Sequence, residues 1–288
     1  MAEAPGHLLG QIIGGVLEAA LKPVLQDLAR KHDLYLDSFG DRPGVRSGKK
    51  VTWRDGKGNG HDLDFVLERG GTRSKQGNPA AFIESAWRRY TKHSKAKAQE
   101  ISGALDPVLM AWAKVKPTGA AVVAGEWTKP ALTQLTTNGY VVLHFDFVRT
   151  VAVFSRHGID INGLGEGTPD HFWQKQCDAF NGKSLPKRQE LAADLRETMK
   201  KDLEVFVAEL EGRIIRKVDY VTVVPLHGNP QQFTELEQAI LAIDSYSIGP
   251  ATARFIRFEV RLVYTNGDHI EASFAGAIDA IAFLRTFA

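Results

Sequence analysis

Two short apolar runs, each carrying a lone carboxylate, constrain this chain more than anything else in it. The first reads His61-Asp62-Leu63-Asp64-Phe65-Val66-Leu67-Glu68, the second Ala81-Phe82-Ile83-Glu84-Ser85-Ala86-Trp87-Arg88-Arg89. Aromatic and β-branched residues bounded by Gly, Asn and Pro suit neighbouring strands of a sheet. Acids are depleted from strands, and an ionised group inside an apolar run is costly unless paired or metal-bound. If the strands pair, Asp64 and Glu84 converge at one point, where a hard divalent cation finds the oxygen ligands it takes. The plainer alternative is a pair of strand-end carboxylates held in salt bridges.

Strand alternation puts Glu84, Ala86 and Arg88 on one face. Asp62 faces the same way as Asp64; it reads as a turn residue contacting solvent or backbone, with an extra ligand as the alternative. A basic run follows, with Arg88, Arg89, Lys92, His93, Lys95 and Lys97. Cations at a helix N-terminus oppose the dipole, whereas helix-start amides are phosphate donors. The run is therefore read as contacting phosphate rather than as a solvated helix start.

This pattern resembles the PD-(D/E)xK nuclease superfamily, in which an Asp opens one strand and Glu-x-Lys lies on the next. Asp64 matches the Asp, Glu84 matches the acid, and Ala86 stands where lysine is usual. Three explanations are open: natural loss of the lysine, transfer of its role elsewhere, or an introduced lysine-to-alanine change, which the run Glu-Ser-Ala-Trp-Arg-Arg favours. The resemblance implies a magnesium-dependent DNA endonuclease of the restriction or phage-defence type. Mg2+, with Mn2+ as a substitute, would sit on Asp64, Glu84 and the backbone carbonyl of Ser85. DNA phosphates would meet Arg88, Arg89, Lys92, Lys95 and Lys97, and a homodimer would cut double-stranded DNA. A lysine at position 86 would orient or deprotonate the attacking water. The nearest substitutes are Arg88, Lys97 and Gln99, and arginine is a poor base because it stays protonated. Alanine at 86 predicts intact folding and metal binding with weak or absent cleavage. The alternative is a non-catalytic DNA-binding or assembly subunit with a degenerate nuclease fold; a third reading is an α/β interaction protein in which both acids are incidental.

Around the motif, residues 7–31 carry a helical apolar face, with Pro23 inside it and Glu18 read as a solvated surface acid. Gly56, Gly58 and Gly60 mark a hairpin turn, without Walker spacing. Ser94 is a predicted N-cap for a helix that breaks and restarts at Asp106-Pro107. A strand at 120–124, a helix at 128–137 and a strand at 140–145 complete an α-β-β-β-α-β order, also that of the superfamily core. The fold expected is α/β: a restriction-endonuclease-like αβββαβ core with a mixed sheet flanked by helices, plus a smaller C-terminal α+β unit. The nuclease domain is predicted at 1–185, ending in an irregular stretch from 158. A long charged helix and an accessory domain at 186–288 would serve recognition, dimerisation or partner contact. Its elements read strand 214–224, helix 234–243, strand 253–264, an Asn266-Gly267 turn, strand 269–274 and helix 277–287. No internal repeat is read.

Composition sets the remaining bounds. Net charge is only +2 over 288 residues, so binding to nucleic acid must rest on local clustering. The single cysteine, Cys177, excludes an intramolecular disulfide, suits a reducing compartment and reads as a packed small hydrophobe. No apolar run approaches the roughly 20 residues of a membrane span. With no secretory pattern at the N-terminus, a cytoplasmic protein without membrane contact is expected. Zinc-type His and Cys spacings and a Gly-x-Ser-x-Gly elbow are absent.

Overall fold

Apolar residues at helical spacing fold Pro5–Lys31 into α1, which starts on a proline and ends on Arg30 and Lys31, the charges its C-terminal dipole favours. The computed structural model describes residues 4–91, 94–165, 167–215, 217–226, 228–247, 255–265 and 267–287. Contrary to the sequence expectation, α1 is long and apolar enough to cross a membrane by length and composition. Here its face Leu9, Ile13, Leu17, Leu21, Leu25 and Leu28 is buried as core.

The chain continues through β1 (Leu34–Ser38), β2 (Val51–Arg54), β3 (Gly60–Leu63), β4 (Phe65–Arg69), β5 (Asn78–Arg88), α2 (Ser94–Ala111) and β6 (Thr118–Gly125). Then come α3 (Lys129–Thr137), β7 (Val141–Asp146), α4 (Phe147–Arg156), α5 (Asp170–Asn181), α6 (Leu185–Thr198) and α7 (Lys200–Ile214). The main sheet has the order β1-β4-β5-β6-β7, and β2 and β3 form a separate hairpin. β5 is its pivot: β4 pairs with it antiparallel and β6 parallel. One face of the sheet, with Val66, Phe82, Ala86, Ala121 and Val123, packs with Ala98, Ile101 and Leu105 of α2 in a single apolar cluster.

Several expectations change. α2 runs through Pro107 without a break. Leu105 and Val108 are buried in the same cluster, so packing on both sides of the proline outweighs its missing hydrogen bond. Ser94 is the first helical residue; its hydroxyl donates to the Thr91 carbonyl at 2.7 Å and lies 3.0 Å from the Thr128 hydroxyl. The stretch expected to be irregular contains α5, which packs on α1 and buries Cys177, as expected for that thiol. The predicted long charged helix divides at Met199 into α6 and α7. Their apolar stripe, Leu191 to Leu210, is buried, and both pack against α1. The compact units accordingly divide at Ile214/Ile215 rather than at 185/186.

The second unit comprises β8 (Val218–Pro225), β9 (Gln231–Phe233), α8 (Leu236–Asp244), β10 (Phe258–Tyr264), β11 (His269–Phe274) and α9 (Ala277–Arg285). Its antiparallel sheet has the order β11-β10-β8-β9. A hairpin followed by a helix occurs twice, the copies meeting at the β8–β10 pair. Ala239 and Ile243 of α8 correspond to Ala280 and Leu284 of α9, and all four are buried. The sequence expectation of no internal repeat missed this structural repetition, which is carried by apolar spacing rather than by shared residues. Asn266 of the expected turn lies outside the described residues.

A buried ionic cluster closes the antiparallel edge of the main sheet. Arg42, 1% exposed, donates to Asp37 of β1 at 2.8 Å, to Glu68 of β4 at 2.9 Å and to the carbonyls of Thr72 and Lys75. Truncating one partner of such a cluster strands the other charges in a low dielectric. Arg42→Ala should destabilise the protein by about 3–5 kcal/mol, read as a lower midpoint in urea unfolding.

Candidate active site

The site forms where β4 leaves β5. The ladder starts at Phe65↔Ile83, while β5 continues to Arg88 beside β6 alone. Extending the register by one residue sets Asp64 opposite Glu84, on the face shared by Val66, Phe82 and Ala86. The Ser85 amide, without a strand partner on that side, donates to Asp64 Oδ2 at 2.6 Å, and the Ser85 hydroxyl does the same at 2.6 Å. A neighbouring close approach fixes the end of β6: Gly125 has φ of +95°, and a Cβ there would lie 2.0 Å from the Arg88 carbonyl oxygen.

Asp64, Ser85 and Ala86 line a cleft of about 660 Å³ between the end of β5, α1 and the first turns of α2. Glu18 of α1 lines it too, so the expectation of a solvated surface acid is overturned. The signal was in the sequence: Glu18 continues the four-residue spacing of Gly6, Gly10 and Gly14, which places it on their side of the helix.

The carboxylates here are mutually unfavourable. Burial, then the charges of Asp64, Glu18 and Asp62, push Glu84 up to about 9, against the opposing charge of Lys97. Glu18 is raised to about 7 by burial and by Asp64, opposed by Lys22. Asp64 is also raised by burial, which its bonds from Ser85 and the charge of Lys97 partly offset. Glu84 Oε2 is buried and has no hydrogen-bond partner. Among the described residues no cluster of three or more His, Cys, Asp or Glu side chains forms a preassembled metal cage. Two carboxylates with an orphaned oxygen nevertheless fit a magnesium-type ion, which takes one or two carboxylates and fills its shell with water and substrate phosphate.

The basic run does not act as one patch. Arg89 also lines the cleft, but its guanidinium is engaged: its Nε donates to the Leu164 carbonyl at 2.8 Å, its Nη2 donates to the Asn162 carbonyl at 2.7 Å, and it lies over the Phe147 ring. Arg88 NH2 and Lys97 Nζ converge on Glu100 Oε2 at 3.3 and 2.8 Å. Lys95 is exposed, and Lys92 and His93 lie outside the described residues. Asp62 is exposed and accepts from Lys50 at 2.8 Å and Thr52 at 2.6 Å, closing the β2–β3 hairpin instead of joining the site. Ala86, 7% exposed, belongs to the core under α2 as well as to the cleft wall, so it does not point solely into the site. Gln99 is exposed and does not line the cleft.

No protein-family model, curated protein or solved structure matches this chain. The site is therefore read from its own chemistry.

Glu84 supplies a measurable consequence. Its folded pKa of about 9 lies above the ordinary 4.5, so between these values the folded state holds a proton the unfolded state has released. Stability of the metal-free protein should fall as pH rises through that window. In EDTA, Glu84→Gln should be more stable than the parent by about 1–3 kcal/mol at pH 8 and nearly equal to it at pH 4. Added Mg2+ should raise the melting temperature of the parent but not of Glu84→Gln.

Proposed function

We propose that the cleft hydrolyses phosphodiester bonds in DNA, with Asp64 and Glu84 holding Mg2+ and Lys97 supplying the cation expected at position 86. The single observation that carries this reading is the buried, unpartnered Glu84 oxygen beside a second, half-buried carboxylate, Asp64. A structural glutamate there would have acquired a partner. The order of α1, the antiparallel β1-β4-β5 and the parallel β6 after α2 supports a restriction-endonuclease-like core. A strand residue points its N–H and C=O to the same edge, so the Ser85 carbonyl faces the edge where its amide meets Asp64. It is available as a third oxygen.

A bound Mg2+ would supply Lewis acidity to the phosphodiester and to its attacking water. The protein's own groups do the rest. Lys97, released from Glu100, can hydrogen-bond the attacking water and balance charge accumulating on phosphorus. Arg88 fixes a non-bridging phosphate oxygen through a guanidinium that stays protonated. Glu18 adds negative charge at the cleft wall and is balanced when the cation is present. Ala86 is compatible with activity on this reading, because the ammonium comes from the helix rather than from the strand.

Lys97→Ala should lower magnesium-dependent nicking of DNA, assayed on single strands as well as duplex, by about 10²–10⁴-fold, with the fold retained by circular dichroism. Ala86→Lys in that background should restore part of the loss, whereas Ala86→Lys alone should give no gain because two ammonium groups would compete for one space. Unchanged nicking by Lys97→Ala would remove lysine 97 from the mechanism. DNA binding without nicking, by both the parent and Ala86→Lys with Mg2+ or Mn2+, would establish the non-catalytic binding subunit instead.

A further inference from the structure

We propose that the cleft admits an unpaired DNA strand, with a base stacked against Trp173, and does not act on intact duplex. This rests on the phosphodiesterase reading above and names its substrate class. Asp64 lines the cleft, and Oε2 of Glu84, set opposite it, is shielded from solvent. A phosphate can reach them only if its strand descends between α1 and the end of β5. In a duplex the partner strand accompanies every phosphate, so the descending nucleotide must first lose its pairing.

The walls suit such a nucleotide. The volume, about 660 Å³, falls in the range of small-molecule pockets and leaves room for little beyond one nucleotide and its phosphates. Trp173 of α5 lines one side, held by its Nε1–H on the Thr168 carbonyl at 3.2 Å, and Trp87 lines the floor. Bases stack on such rings irrespective of sequence. The α1 wall beside them offers bare backbone at Gly14, where an added Cβ would meet nothing within 4 Å. Arg88 and Lys97 stand at the same cleft for the phosphate.

Gly14 gives a test that does not depend on damaging the fold. A Cβ there meets no atom within 4 Å, and leucine is a better helix former than glycine. Gly14→Leu should raise the melting temperature while filling the cleft. The experiment compares one labelled oligonucleotide as a single strand, as a forked duplex and as a blunt duplex, for binding and for magnesium-dependent cleavage. Single strand and fork should be preferred at least ten-fold over blunt duplex, and Gly14→Leu should abolish both preferred activities. Trp173→Ala should weaken single-strand binding roughly ten-fold and Trp173→Phe should restore it. Equal or better use of blunt duplex, or full binding by Gly14→Leu, overturns the inference and leaves the nuclease reading standing. If no form of DNA is bound or cut by the parent, both fall together.

Discussion

An amide that loses its strand partner organises the first unit. β4 ends its pairing with β5 at Phe65, and the free Ser85 N–H is taken by the side chain of the next residue outward, Asp64. That bond lets the sheet open without leaving a buried donor unsatisfied. It also fixes Asp64 at the mouth of the opening, with Glu84 opposite. The opening that presents Asp64 and sets Glu84 opposite it follows from where the β4–β5 ladder stops.

Two glutamates on adjacent strands show how differently the same domain treats a buried acid. Glu68, 0% exposed, is matched by the Arg42 guanidinium and by the Gly77 amide at 2.7 Å. Its cluster pins loops around the sheet edge and leaves no capacity for a ligand. Glu84 sits one strand away with an oxygen unsatisfied and like charges nearby. Natural sequences keep such local conflicts where function requires them. The contrast within one sheet makes incidental burial a poor account of Glu84, because a solution of the Arg42 kind was within the chain's means.

The carboxylate pair was legible because it broke a simple pattern: single acids in apolar runs of the right length. α1, β5, β6 and the β10–β11 hairpin were legible by periodicity, whereas the three-residue β9 was not. What escaped depended on tertiary partners. β1 has only five residues, one of them the buried Asp37, whose place is decided by Arg42 and not by propensity. α5 buries little of itself, so its periodicity is weak. The division at 214/215 was hidden because a charged helix read alone looks like a linker; only the buried stripe against α1 assigns it to the first unit. The basic run misled for the opposite reason. Its charges are adjacent in sequence, but strand and helix geometry send Arg89 to a loop carbonyl and bring Arg88 and Lys97 to one carboxylate.

Lys97 shows how site and scaffold share one electrostatic arrangement. The first turn of α2 contains no acid, so cations there face the unfavourable end of the helix dipole. Lys97 is held against that field by Glu100 on its own helix and by the negative charge of Asp64 and Glu84. The relation is reciprocal, since the same ammonium lowers the proton affinity of both carboxylates. A phosphate entering the cleft would compete with Glu100 for Lys97 and Arg88 together. On the phosphodiesterase reading proposed above, Glu100 occupies the position that a substrate anion would take. The short ion pair at the helix start holds the cations in place without burying them beyond reach.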